Sequence, residues 1–385
     1  MKRKVFSVLI LGIALVLAAA GCKNSSAGSE SAQGAGGSAR SSSKAPADMY
    51  FAVSLGWMEN ASGQRQKFAF ESQFRAAGVN TFDIVDANYD PKKQSEQIEA
   101  FIAKKPDALF ITPSDPVGIA EAVKKAADQG IPVFSSDGYV PGALVASTVM
   151  FDNYAGGMAT MEYLAEYLVN KYPSGEIAIG RIYLPQNEGW DARTHGMEYV
   201  LSQERYSRIK VKFDWGKDEL GSVTPTQTIS SWLAADTNKE MKAIWCAWDG
   251  AVFEGLAVTA ATRPEIVYTG SDGGEQCYNM MNQYPDQFIM TLGESVYAMP
   301  TQLVGYAFNY LGGKRIPRLV MSPGFSVTSG MIKDVIAIRD VTGTINGQSV
   351  SAWQLALDYD LPGYANALND VLRANGKTPA WIPSI

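Results

Sequence analysis

The chain has 385 residues, 33 basic and 39 acidic, for a formal charge of −6, and its one histidine excludes a metal centre built on several histidines. The acidic balance disfavours nucleic acid and anionic lipid surfaces as partners. A G-x-S-x-G elbow and a G-x-G-x-x-G loop are both absent, and "LGGKRIP" lacks P-loop spacing. A serine or cysteine triad would have one candidate base, so an enzyme is disfavoured and no cofactor is expected.

The first segment, "MKRKVFSVLILGIALVLAAAGC", sets Lys2, Arg3 and Lys4 before an uncharged apolar run from Val5 to Ala20. That order of charge and hydrophobicity describes a secretion leader, residues 1–21. Its end, "LAAAGC", resembles a lipobox, in which the cysteine carries a lipid anchor after cleavage; Ala19 stands where leucine is usual. Cys22 is therefore the expected anchor, and no other uncharged apolar stretch is long enough to span a membrane. Residues 22–46, rich in Ser, Gly and Ala, cannot bury enough surface to offset their ordering entropy and form a flexible tether. Losing the leader removes three basic residues and no acidic ones, so the exported chain carries a net of −9.

About 340 residues then remain, more than one comfortable core. "MYFAVSL", "FDIVDA", "ALFITPSD", "IPVFSSDG" and "LVASTVMF" have strand character and alternate with amphipathic stretches, one with Pro91 as a first helical residue and one closed by Gly130. A long helix is expected from Asn153 to about Tyr172. The alternation restarts with "GEIAIGRIYL", "IKVKFDW", "AIWCAWD", "IVYTGSD" and "FIMTLGE" and helices beginning near Trp190, Thr224, Val252, Gly274 and Met299. Two such runs make an α/β protein with two doubly wound, Rossmann-like domains. Cys246 and Cys277 could pair in an exported protein or remain as buried thiols.

In doubly wound sheets ligands sit beyond the carboxyl ends of the strands. Trp57, Asp137, Phe151, Trp215, Trp248, Asp272 and Glu294 stand there. Asp favours turns for its own reasons, whereas a turn has no use for a tryptophan.

These pieces in order resemble the type I periplasmic substrate-binding proteins, nearest the ribose and related sugar binders of ABC importers. "ALFITPSDPVGIAEAVKKAADQGIPVFSSD" and "FDNYAGGMATMEYLAEYL" carry the likeness in the first half, and "DARTHGMEY", "AIWCAWDG", "YTGSDGGEQ" and "MTLGES" in the second. The resemblance implies two lobes joined by three crossover segments, near Phe151 to Asn153, Glu294 to Tyr297 and Pro323 to Val327. The N-terminal lobe is then 47–151 plus 296–322, and the C-terminal lobe 152–295 plus 323–385 with a C-terminal extension. "SAWQLALDYDLPGYANALNDVLRANGK" in that extension includes an expected helix of unassigned role.

The same resemblance makes Asp137 the aspartate that takes two sugar hydroxyls, Asp272 its counterpart in the second lobe, and Glu294 a contact near the last crossing. Trp215 matches an aromatic wall, Trp248 stands where Asn is frequent, Phe151 lines the first crossing, and Asn60 or Trp57 supplies the first-loop contact. His195 falls on the arginine that grips ligand oxygens, and Gly138 on a second one, so both arginine clamps are expected to be missing. Arg193 is left to reach in from the previous half-turn or to face solvent.

The implied function is an extracytoplasmic lipoprotein, a monomer, that closes on a hexose or small oligosaccharide and delivers it to an ABC permease. Carboxylates would accept from paired hydroxyls and flat rings would cover the C–H face of the sugar. Alternatives are an organic cation held by carboxylates and aromatic faces, a purine nucleoside stacked between tryptophans, or a sensor that hands its closed state to a chemoreceptor or kinase.

Overall fold

The computed structural model describes residues 44–337 apart from 60, 184–187, 217–222, 295 and 323, together with 341–345, 348–351 and 376. The expected leader, tether and Cys22 anchor, Asn60, and the helix expected in the C-terminal extension lie outside the described residues.

In chain order the first half is β1 (Tyr50–Leu55), α1 (Ala61–Ala76), β2 (Thr81–Asp86), α2 (Pro91–Lys104), β3 (Ala108–Thr112), α3 (Ala120–Asp128), β4 (Val133–Ser136) and β5 (Ser147–Phe151). There follow α4 (Asn153–Lys171), β6 (Ile177–Tyr183), α5 (Glu188–Leu201), β7 (Ile209–Gly216), α6 (Pro225–Ala235) and β8 (Met241–Cys246). Next come α7 (Asp249–Thr259), β9 (Val267–Asp272), α8 (Glu275–Gln283), β10 (Phe288–Glu294) and α9 (Ala298–Leu311). The last described elements are β11 (Leu319–Ser322), β12 (Gly324–Thr328), α10 (Ile332–Ala337) and a hairpin of β13 (Thr342–Ile345) and β14 (Gln348–Ser351).

Two six-stranded sheets result, ordered β11-β5-β4-β3-β1-β2 and β12-β10-β9-β8-β6-β7. The first is parallel throughout and the second parallel except for β12, so helices must cover both faces. Every residue of β3 and β4 is accordingly buried. Helix starts follow local chemistry: the Asp90 carboxylate accepts from the N–H groups of Lys92 and Lys93 ahead of Pro91, and Thr224 with Gln227 forms a capping box.

Each sheet carries two cores. In the first, Phe51, Phe70, Phe74, Phe110 and Phe134 interlock under α1 and α9, with Phe51 and Phe110 centroids 5.5 Å apart. Ile98, Ile111 and Val123 pack beneath α2 and α3 on the opposite face. The second sheet sets Met161, Met197 and Trp245 under α4 and α5, and Tyr268, Tyr278 and Phe288 under the helices of its other face. Val327, Ile332, Val335 and Val341 join the latter group, which fastens the chain after β12 to the second lobe. Cys246 and Cys277 are buried free thiols in that core.

The chain passes between the sheets at Asp152, between Glu294 and Ala298, and between Ser322 and Gly324. These passages lie side by side: Ser322 is in register with Phe151, and Glu294 with Gly324. A Cβ on Gly324 would stand 2.8 Å from Leu292 and 2.9 Å from Phe151, so a larger residue at this passage would have to displace one of those side chains.

Candidate functional site

Arg193 is the centre of the cleft wall. It lies on α5, whose inward face also carries Trp190, Thr194 and Met197, and it is 4% exposed. Helices α4 and α5 can meet closely because glycines line the contact: a Cβ on Gly157 would overlap the Arg193 carbonyl oxygen, and one on Gly196 would overlap that of Tyr154. The guanidinium donates from Nε to Asn153 Oδ1 at 2.8 Å, and from Nη1 to the Ala247 carbonyl at 2.7 Å and Asp272 Oδ1 at 3.3 Å. Its Nη2 donates to Glu294 Oε1, and its flat face lies 5.4 Å from the Phe151 ring centre. One side chain thereby ties the ends of β8, β9 and β10 to the start of α4.

His195, two positions on, is rotated by about 200° around the helix. Its side chain is 61% exposed and faces Asp191 at 3.7 Å, so the expectation of a histidine on the cleft wall is corrected. Arg193, from the same stretch, fills the wall instead. Gly138 does lack a side chain, and a Cβ there would already touch Pro113 at 3.0 Å.

Three carboxylates converge near this cation. Glu294 is 8% exposed and bonded to it. Asp272 accepts from Arg193 and, through Oδ2, from the Asp249 N–H at 3.2 Å. Asp137 comes from the other lobe, at the end of β4; its carboxylate takes no hydrogen bond among the described residues but feels both Glu294 and Arg193. Among the described residues, Asp137 and Asp272 are two of six non-glycine residues with positive φ, at 58° and 132°. Such backbone costs on the order of 1–3 kcal/mol per residue and persists where its surroundings impose it, frequently at functional sites.

Burial and the neighbouring Glu294 push the Asp137 carboxyl up to about 8 against the opposing pull of Arg193. Crowding by the surrounding protein and Glu294 raise Asp272 in the same direction against the pull of Arg193, although 43% of its side-chain surface stays open to water. Asp249, buried behind them, is pushed up to about 6 by burial; the Cys277 thiol, the Thr291 hydroxyl and the Gly273 N–H hold it from rising further. It accepts from Gly273 at 2.8 Å and thereby shapes the turn that presents Asp272.

The aromatic residues divide. Trp57 stays half-buried and stacks on Tyr89, 5.7 Å apart and 6° from parallel. Trp248 stacks on Trp190 at 4.2 Å, with Trp215 behind it at 6.2 Å. Trp215 is 8% exposed, so it backs this wall more than it lines it, and its Nε1 finds no partner among the described residues. Phe151 is 1% exposed, and its ring lies against the Arg193 guanidinium.

The sequence offers Asn153 and Asp249 at strand ends and Trp190 beside Arg193 as candidates, but the part each plays in the site was missed. Spacing offered a signal for Trp190, which sits one turn before Arg193 on the same helix face. Gln66 was also missed: wholly buried in α1, it accepts from Thr112 Oγ1 at 2.7 Å and from Ser136 Oγ at 3.1 Å, bracing the strand ends before Asp137.

The sequence model of the family described as "Periplasmic binding protein domain" matches residues 51–315. The ribose import binding protein of Bacillus subtilis (strain 168) is 23% identical over 276 residues, 70% of this chain and 84% of that protein. A sugar ABC transporter sugar-binding protein from Bacillus halodurans superposes with a TM-score of 0.65 at 22% identity, covering 74% of this chain and 98% of the other. A periplasmic solute-binding protein of an ABC transporter from Actinobacillus succinogenes, solved with D-allose bound, gives a TM-score of 0.65 at 18% identity over 74% of this chain and all of its own. Two α/β lobes on parallel sheets, three adjoining passages between them and a matched family model over most of the chain lead to one conclusion: this chain belongs to the periplasmic binding protein family and has the type I fold.

Proposed function

We propose that this protein captures a sugar, a hexose or small oligosaccharide, between its lobes, closes on it and delivers it to an ABC permease. The observation that carries this reading is the meeting of Asp137 from one lobe with Arg193, Asp272 and Glu294 from the other. Carboxyl oxygens accept from paired hydroxyls, so they suit a ligand edged with hydroxyl donors; a hydrogen bond to an ionised one contributes about 1.5–3 kcal/mol. The half-buried Trp57 and Trp248 offer flat faces for the C–H side of the ring. A ligand touching both lobes binds the closed form preferentially and shifts the hinge equilibrium toward it. The relatives named for ribose import and D-allose support the same class.

The lobes in this reading are 47–151 plus 296–322 and 152–295 plus 323–385, and the protein acts as a monomer held by Cys22 to a membrane, outside the cytoplasm. Among the described residues no helix is long and apolar enough to cross a membrane. Permease and ATPase genes beside this one would mark an importer component, and a chemoreceptor or kinase gene a sensor.

The surplus of carboxylates over Arg193 supports a second reading, an organic cation. A nucleoside sandwiched by Trp190 and Trp248 is disfavoured, because those rings already touch at 4.2 Å. Thermal-shift screening with hexoses, nucleosides and choline separates the readings. Ligand at a hundred times Kd stabilises by about 2.7 kcal/mol, so a sugar should raise Tm measurably, and a rise with choline alone rejects the sugar.

A further inference from the structure

The first lobe brings a cation of its own to the cleft. Arg65 lies near the start of α1, one residue before Gln66, whose amide oxygen accepts from Thr112 Oγ1 and Ser136 Oγ at the ends of β3 and β4. The same turn of α1 is pressed on the loop of Trp57, because a Cβ on Gly63 would overlap the Trp57 carbonyl oxygen. From this wall Arg65 reaches the opposite lobe. Its Nη1 lies 2.9 Å from the point that a Cβ on Gly274 would occupy, two residues after Asp272. Gly274 offers it no side chain, and the Gly274 carbonyl already accepts from the Tyr278 N–H at 3.0 Å.

This guanidinium is held differently from its counterparts. Arg181 is paired with Asp214 and Glu198, Arg193 with Asp272 and Glu294, and Arg263 with Asp236 and Glu265. Arg65 is half-buried and makes no ion pair among the described residues. Its Nε is withdrawn from solvent and has no hydrogen-bond partner among them. A donor removed from water and left unmatched destabilises the fold, so a group of this kind calls for an acceptor.

The rest of the cleft indicates which acceptor. Arg193 directs Nε, Nη1 and Nη2 to protein atoms, and Asp137, Asp272 and Glu294 bring carboxyl oxygens. A hydroxylated ring carries O–H donors for those oxygens, but its own lone pairs then need a donor from elsewhere. With three carboxyl groups around the space, an ionised acceptor would meet repulsion or force carboxyl groups to take protons. A neutral oxygen needs neither.

We propose that Arg65 is a ligand-binding residue contributed by the first lobe, whose guanidinium donates from Nε to a neutral oxygen of the ligand, a hydroxyl or the ring oxygen of a sugar. The sugar reading supplies the identity of the ligand; the unmatched guanidinium stands apart from it. Arg65 thereby complements the acceptors of Asp137, Asp272 and Glu294 with a donor from the facing wall.

Calorimetric titration of the purified chain with D-glucose, D-galactose and D-allose tests this in the parent, Arg65→Met and Arg65→Lys. Methionine keeps the apolar stem and lysine the charge, but neither has the Nε donor. For the hexose that the parent binds most tightly, both variants should bind at least about tenfold more weakly. Their ligand-free urea midpoints should equal or exceed that of the parent, because no protein partner is lost. Parental affinity in either variant overturns the proposal, as does a lowered midpoint, which would make Arg65 a structural residue. If none of the three hexoses binds the parent, the sugar reading is what fails, and the ligand-free chains decide Arg65: a maintained or raised midpoint upholds a guanidinium kept for a ligand, and a lowered one overturns it.

Discussion

Arg193 and His195 differ by two positions and by the side of the helix they occupy. Arg193 neutralises the buried Glu294 and the partly exposed Asp272, whereas the exposed His195 faces only Asp191 among charged groups within ion-pair distance. Removing one partner of a buried ionic cluster leaves uncompensated charge, typically 3–5 kcal/mol. Arg193→Ala should therefore lower unfolding stability by roughly that amount in urea titration and abolish ligand binding. His195→Ala should leave both unchanged. A tenfold loss of affinity in the histidine variant would return that residue to the cleft.

At the scale of elements, the contact between α4 and α5 decides where Arg193 points. Gly157 and Gly196 let the two backbones touch, and neither helix can shift without moving the guanidinium off the strand ends. Overpacking such a contact typically costs about 1–3 kcal/mol. Gly157→Ala should reduce stability by that order in denaturant unfolding and weaken ligand binding further than the stability loss explains, because α5 is pushed outward. Affinity equal to the parent would show that Arg193 need not hold its place. The neighbouring Gly156 is a poorer test, since a Cβ there meets only ring and methyl groups at 3.0–3.1 Å.

At the scale of the whole molecule, the fold was legible because two periods alternate along the chain. Strands buried on both faces read as short apolar runs, as in "ALFIT", and covering helices as stripes such as Ile119, Val123 and Ala126. Asp137, Asp272 and Glu294 were legible because they end strands, and strand ends are fixed by topology. The face of α5 was not legible: placing His195 on an arginine position ignored that two residues turn a helix to its opposite side. Phe151 stood at the expected point of the chain, but whether its ring lines the cleft or supports Arg193 depends on α5, a non-local partner. Asn153 and Asp249 act through bonds to residues 40 and 42 positions away, which no local pattern announces.

The central claim is that the two lobes close on a neutral, polyhydroxylated ligand held by Asp137, Arg193, Asp272 and Glu294. Mass spectrometry of the small molecule released on denaturing the purified protein tests it most directly. The expected result is an uncharged sugar or polyol, absent from the Arg193→Ala preparation. A quaternary ammonium compound, a nucleoside or a sugar acid released in stoichiometric amount would contradict it.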